Sequence, residues 1–261
     1  ALFGHPESKF PTLHIAGTNG KGSTSAMLQR ILSLAGYRTA LYTSPHLVSF
    51  TERIKIADQE IAEAEVVAIA EEIWQRTAAA DIALTYFEVV TVMAFIYFAR
   101  HPTDVAVIEV GLGGRFDATN VITPLVALIT TISKDHEAFL GTDLLSIAGE
   151  KAGIIKPGVP VVCGAVSTEV RELFRQTAAG QGSKAYFFGE DYKFSLKNEG
   201  FFDYTGLKQY YSNLSLGLRG RHQKYNAAVA LATLEVIQDR LPVTEAAIRG
   251  GLATVQWPGR L

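Results

Sequence analysis

The stretch "HIAGTNGKGSTS", His14 to Ser25, decides how the rest of the chain is read. An apolar β-branched run, "TLHIA" (12–16), leads into three closely spaced glycines, Gly17, Gly20 and Gly22, and then a helical pattern begins. A strand, a glycine loop and a helix start together aim backbone N–H groups at an anion, and Lys21 adds a point charge for terminal phosphates. Ser23 or Thr24 is placed to reach a metal ion. The common phosphate loop, G-x-x-x-x-G-K-S/T, sets its hydroxyl directly after the lysine. Here Gly22 intervenes, and Ile15 stands where the first glycine belongs. A nucleotide loop of another kind and a glycine-rich turn without chemistry both remain open at this point.

On the two sides of this loop, strand-like runs alternate with helical ones, which predicts βαβ units and a mostly parallel sheet flanked by helices. Strands are predicted at "RTALYT" (38–43), "DVAVIEV" (104–110), "LVALITTIS" (125–133) and "VPVVCGA" (159–165). The run 104–110, apolar on both faces, reads as a central strand. Helices are predicted at 23–36, closed by Gly36, at 62–79, at 86–101 with a buried surface, at 144–153 capped by Thr142 or Asp143, at 222–239 and at 244–252. "SPHLVSFTERIKI" (44–56) has no clean period and reads as an excursion loop. From about Lys184 to Leu218, short aromatic and polar runs with Gly and Asn turns read as a small β-hairpin element attached to the core.

Composition narrows the function classes. The chain has 261 residues, 48% of them hydrophobic, and a net charge of −2. That balance gives no electrostatic case for nucleic acid or an anionic membrane. The longest apolar run, "VVTVMAFIYFA" (89–99), is too short for a bilayer span, and the first residues lack a charged segment followed by a hydrophobic one. A single cysteine, Cys163, excludes an intrachain disulfide and suits a reducing, cytoplasmic setting.

Four further stretches carry candidate chemistry. "EVGLGGRFDATN" (109–120) sits at a strand end, where open α/β sheets bind ligands. It fails the dinucleotide fingerprint because Phe116 occupies the last glycine's place. Glu109 is a carboxylate ending an apolar strand, with a metal ion or Arg115 as its natural partner. Asp135 and His136 follow the strand 125–133 and read either as a hydrogen-bonded pair or as metal ligands. Lys151 lies among small apolar neighbours; it either snorkels to the surface or is desolvated and reactive towards an electrophile such as CO2. His222 and Asn226, four apart, share a helix face on which an amide holds an adenine edge or caps the helix.

Together these stretches, with "TSPHL" (43–47), "ERI" (52–54), "YFEVVT" (86–91), "IAGEKAGIIKPG" (147–158) and "WPGR" (257–260), resemble the folylpolyglutamate synthase and dihydrofolate synthase family of the Mur ligase superfamily. G-T-N-G-K-G-S is the loop form characteristic of the folate ligases. Other Mur ligases usually put threonine straight after the lysine and carry a UDP-binding domain ahead of the loop. The resemblance implies a Mur-ligase-like ATP-binding domain over residues 1–255, with 256–261 opening a linker to a further domain that this chain lacks. It implies a monomeric ligase that joins L-glutamate to dihydropteroate or folates through an acyl phosphate made from ATP. By resemblance, Gly17, Thr18, Asn19, Gly20, Lys21, Gly22, Ser23, Thr24, Asn226 and Arg260 bind the nucleotide. Ser23, Ser44, Glu109 and His136 hold Mg2+ at two sites, and a monovalent cation assists. Lys21, His136 and a carbamylated Lys151 take catalytic parts. Phe87, Glu88, Thr91, Arg115 and Asp117 line the pterin and folate side. The other readings are a non-catalytic MgATP-binding module and, disfavoured by the loop type, a Mur-type peptidoglycan ligase. Without the further domain, weak MgATP binding and little turnover are expected.

Overall fold

The computed structural model describes residues 2–133, 143–164, 166–197 and 200–259. Its main sheet has eight strands in the order β4-β3-β2-β5-β1-β6-β7-β8. These are β1 (Thr12–Ala16), β2 (Thr39–Tyr42), β3 (Ile54–Ile56), β4 (Gln59–Glu60), β5 (Val105–Glu109), β6 (Val126–Ile129), β7 (Val161–Cys163) and β8 (Ala185–Phe187). The six strands from β2 to β8 across the sheet are parallel. β3 and β4 are antiparallel additions at one edge. Both fall in or beside the stretch read from sequence as an excursion loop. They are too short for periodicity to show: three residues and two.

Seven α-helices are described: α1 (Lys21–Leu34), α2 (Glu63–Ala79), α3 (Tyr86–Arg100), α4 (Leu144–Ala152), α5 (Thr168–Gly180), α6 (Arg221–Val236) and α7 (Glu245–Thr254). α5 has no counterpart among the helices expected from sequence. Ser167 caps it by accepting from Val170 N, and it buries Val170, Phe174 and Ala178, one residue per turn. This crossover reassigns the strand that comes after it. β8, expected to belong to the hairpin element, instead pairs in parallel with β7 at the sheet edge. The hairpin element itself is real but shorter: β9 (Lys193–Leu196), β10 (Phe202–Thr205) and β11 (Tyr210–Leu214) form a separate antiparallel sheet.

Side chains alternate across the main sheet and sort the helices into two layers. Leu13, Ile15, Leu41, Val107 and Leu128 face one way, into a core completed by α1, α6, α7 and the small sheet. The other face is split. Ala40, Tyr42, Ala106 and Ile108 pack on α2 and α3, whereas Ala127, Ile129, Val161 and Cys163 pack on α4 and α5. Burial pushes the Cys163 thiol far up, so it is inert core. Strands buried on both faces read as continuous apolar runs, which is why the parallel strands were legible. At the carboxyl edge of this sheet the turns after β1, β2, β5 and β6 come together.

Candidate functional site

Gly20 caps α1 in the left-handed region, at φ 87°, and Lys21 is the first helical residue. The uncapped N-terminal N–H groups of a 14-residue helix therefore open at the loop, the arrangement that attracts phosphate. The loop is fastened from beneath by the β6 turn. Thr18 N donates to Thr131 O at 2.8 Å, Thr130 Oγ1 to Asn19 O at 2.7 Å, and Thr18 Oγ1 to Ser133 O at 3.0 Å. Asn19 Nδ2 donates to Ser133 Oγ at 3.1 Å. The side chains of Thr18 and Asn19 thus hold the loop to the sheet, while both residues still line its cavity. A Cβ on Gly20 would lie 2.2 Å from Asn226 Oδ1, so glycine is required there. Asn226, 4% exposed and bonded to Gln223 Oε1, braces the loop from α6; its neighbour in sequence spacing, His222, is exposed.

A cavity of about 190 Å3 opens over this loop, and Lys21, Ser23, Ser44 and Glu109 all line it. They arrive from α1, from the turn after β2 and from the end of β5. Glu109 is 3% exposed and stands beside Ile15 in the register of β1 and β5. Arg115, weighed from sequence as its partner, pairs with Glu150 at 3.3 Å instead. Two hydroxyls and a carboxylate are hard oxygen donors, the set Mg2+ takes alongside substrate phosphates and water. Among the described residues no group of three or more His, Cys, Asp or Glu side chains is placed to hold a metal ion by itself.

Lys151 lies in the last turn of α4 and is 4% exposed, which rules out the snorkelling reading. Its Nζ donates to Gly17 O at 3.1 Å, and Lys21 Nζ donates to the same carbonyl at 3.0 Å. Both lysines therefore meet beneath the phosphate loop. A narrow cleft lined by Lys21, Lys151 and the 110–113 turn runs from there. It shares Lys21 and Gly111 with the first cavity, and Leu112 and Gly113 with a larger one of about 890 Å3. Phe87, Glu88, Arg115 and Asp117 line the large cavity. The Thr85 hydroxyl, and then its backbone N–H, hold the Glu88 carboxyl below its usual range.

Three expected residues line none of these cavities: Asn226, which braces the loop from α6, Thr24 and Thr91. Thr24 is fully buried, because the helix turns it into the core one residue after Ser23. Thr91, 1% exposed, donates back to Phe87 O at 2.8 Å and meets the Tyr42 hydroxyl, facing the core rather than the ligand side. Asp135, His136 and Arg260 lie outside the described residues.

Two residues that shape the walls of the candidate site escaped the sequence reading. Glu52 accepts from Leu47 N, Val48 N and Ser49 N at 2.8, 2.9 and 2.7 Å, and so shapes the turn that carries Ser44. These bonds hold its carboxyl down at about 2. Its signal was present as the capping box Ser49-x-x-Glu52. Trp257 is the other: a Cβ on Gly22 would sit 2.8 Å from its ring.

The Mur ligase middle domain family matches residues 15–234. The dihydrofolate synthase/folylpolyglutamate synthase of Bacillus subtilis is 37% identical over 280 residues, which cover 100% of this chain and 63% of that protein. The solved Mycobacterium tuberculosis folylpolyglutamate synthase, complexed with ADP and AMPPCP, superposes with a TM-score of 0.93 at 40% identity, covering 100% of this chain and 62% of that one. A folylpolyglutamate synthase solved with AMPPCP and folate gives 0.94 at 37% identity, covering 100% and 66%. The chain thus spans somewhat under two thirds of the length of these proteins. On these grounds the chain belongs to the folylpolyglutamate synthase and dihydrofolate synthase family of the Mur ligases.

Proposed function

We propose that this chain forms the nucleotide-binding core of a ligase that joins L-glutamate to dihydropteroate, to folates or to both. ATP would donate its γ-phosphoryl group to the substrate carboxylate, and the glutamate amine would then displace phosphate from the acyl carbon. The observation that carries this reading is a row of three spaces that share lining residues: a phosphate cavity, a cleft lined by Lys151, and a large cavity bordered by Phe87 and Asp117. A phosphoryl donor in the first and a carboxylate reaching in from the last would meet at the cleft, and such a transfer is mostly positioning and charge neutralisation.

Lys21 is placed to leave its loop carbonyls for the β- and γ-phosphates, and the α1 N–H groups share that charge. Ser23, Ser44 and Glu109, with His136, would hold Mg2+, which neutralises phosphate charge when bound. Lys151 fits the reading as a carbamate. Its unprotonated amine adds to CO2, forming a C–N bond and releasing one proton, and the carbamate N–H keeps a donor for Gly17 O. A monovalent cation, a monomeric state and a cytoplasmic setting belong to the same proposal; among the described residues no helix is long and apolar enough to cross a membrane. The relatives' greater length supports a second domain that contributes to the glutamate side.

Incubated with ATP, Mg2+, labelled L-glutamate and either dihydropteroate or tetrahydrofolate, the protein in its full reading frame should incorporate label. No incorporation with either acceptor, alongside intact MgATP binding, would favour the non-catalytic module. Lys151→Ala should lower turnover by about 10–100-fold, the usual effect of losing a group that supports a metal site. Near-normal turnover would show Lys151 to be structural.

A further inference from the structure

His14 lines none of the three cavities, yet it is wholly buried in the middle of the central strand. It lies on the split face of the sheet, in register with Ile108 of one half-core and Ala127 of the other. Its Nε2 is 2.9 Å from Thr119 Oγ1, and Thr119 Oγ1 in turn bonds Asp117 Oδ1. Asp117 Oδ1 also accepts from Thr119 N at 2.9 Å, and Oδ2 accepts from Leu112 N at 2.9 Å. That last bond ties the 111–117 loop into the wall of the large cavity.

The proton positions along this row come from chemistry. A carboxylate has no proton to give, so the Thr119 hydroxyl donates to Asp117. The hydroxyl has one proton, so towards His14 it can only accept. His14 must therefore carry its proton on Nε2. Its Nδ1 is buried without a partner, which a bare lone pair tolerates better than an N–H would. Burial, reinforced by Lys156, also opposes the imidazolium.

We propose that His14 is a positioning residue for the large cavity. Fixed as the neutral Nε2–H tautomer, it orients the Thr119 hydroxyl, which orients Asp117, which closes the loop through Leu112 N. The functional half of this inference rests on the reading of that cavity as the pteroate or folate side; the row of bonds itself does not.

The test separates the two. Nitrogen-15 NMR of the histidine-labelled protein should show one imidazole protonated at Nε2 alone, unchanged between about pH 5 and 8, where an ordinary histidine titrates. His14→Phe should raise hydrogen exchange at the Leu112 amide by about tenfold, the worth of one buried hydrogen bond, while amides of β1 and β5 stay protected. His14→Gln, which keeps an N–H donor, should restore most of that protection. In the active enzyme, His14→Phe should raise KM for the pteroate or folate substrate and leave kcat and the ATP KM within about twofold. An Nδ1–H tautomer, titration in that range, or Leu112 exchange unmoved by His14→Phe would overturn the proposal. So would equal rises in both KM values. Where His14→Phe fails to fold, the wild-type tautomer and His14→Gln decide. An enzyme without ligase activity would remove the cavity's assignment while the tautomer and exchange data still judge the row of bonds.

Discussion

Gly22 breaks the usual order of lysine and hydroxyl in a phosphate loop, and the reason lies across the fold. The Trp257 ring packs on the first turn of α1 so closely that Cζ2 would stand 2.8 Å from any Cβ at position 22. The segment after α7 is thereby seated directly on the helix that presents Ser23. Gly22→Ala should then destabilise the protein by about 1–3 kcal/mol, the scale of overpacking in a close-packed contact. In a Trp257→Ala background the same change should cost almost nothing, so urea melts of the four-member cycle measure the coupling. Additive losses would show that the glycine serves another purpose. The sequence displayed the glycine but not its cause, because the neighbour that demands it is more than two hundred residues away.

At the scale of elements, one carboxylate gathers the turn between β2 and β3. Glu52 gathers three consecutive backbone N–H groups, which holds its folded-state pKa down at about 2 from an ordinary 4.5. A depressed carboxylate contributes stability that is present above its unfolded value and is lost as pH falls through the folded one. The Ser44 turn should accordingly loosen between about pH 4.5 and 2. Exchange at the Leu47 and Val48 amides measures it, and Glu52→Gln should show the fast exchange already at neutral pH. Exchange in the variant matching wild type would assign the turn's shape to other contacts. Legibility at this scale tracked element length. The long helices and doubly buried strands announced themselves, whereas β3 and β4 were too short to carry a period. α5 was readable from Val170, Phe174 and Ala178 under a Ser167 cap, and overlooking it is what misplaced β8.

Across the whole molecule, one sheet edge gathers turns that sequence motifs had named separately. Lys21 and Ser23 were legible from the glycine loop and Glu109 from its place at a strand end, where an α/β sheet binds ligands, whereas Ser44 came only from the family resemblance. That they share one cavity was not legible, since it depends on β5 and β6 flanking β1. Thr24 and Thr91 looked alike in sequence to their functional neighbours, and only helix rotation sends them inward. The same central strand sets a global acid limit. His14 is held at about 3 from 6.5, first by burial and then by Lys156, so the unfolded chain binds a proton that the folded one refuses. Stability should decline as pH falls below about 6.5, with His14 contributing a slope approaching about 1.4 kcal/mol per pH unit. Urea unfolding between about pH 7 and 4 should be less steep in pH by about one proton for His14→Gln. Parallel slopes would place that titration elsewhere.

The chain has two tryptophans, and they differ in setting: Trp74 is 77% exposed on α2, while Trp257 is packed on the phosphate-loop helix. A Trp74→Phe variant would leave one tryptophan, excited selectively over the tyrosines at the red edge of its absorption, behind the phosphate loop. Its fluorescence should shift when MgATP draws α1 and Lys21 towards phosphate, giving a label-free titration of occupancy and a stopped-flow signal for its rate.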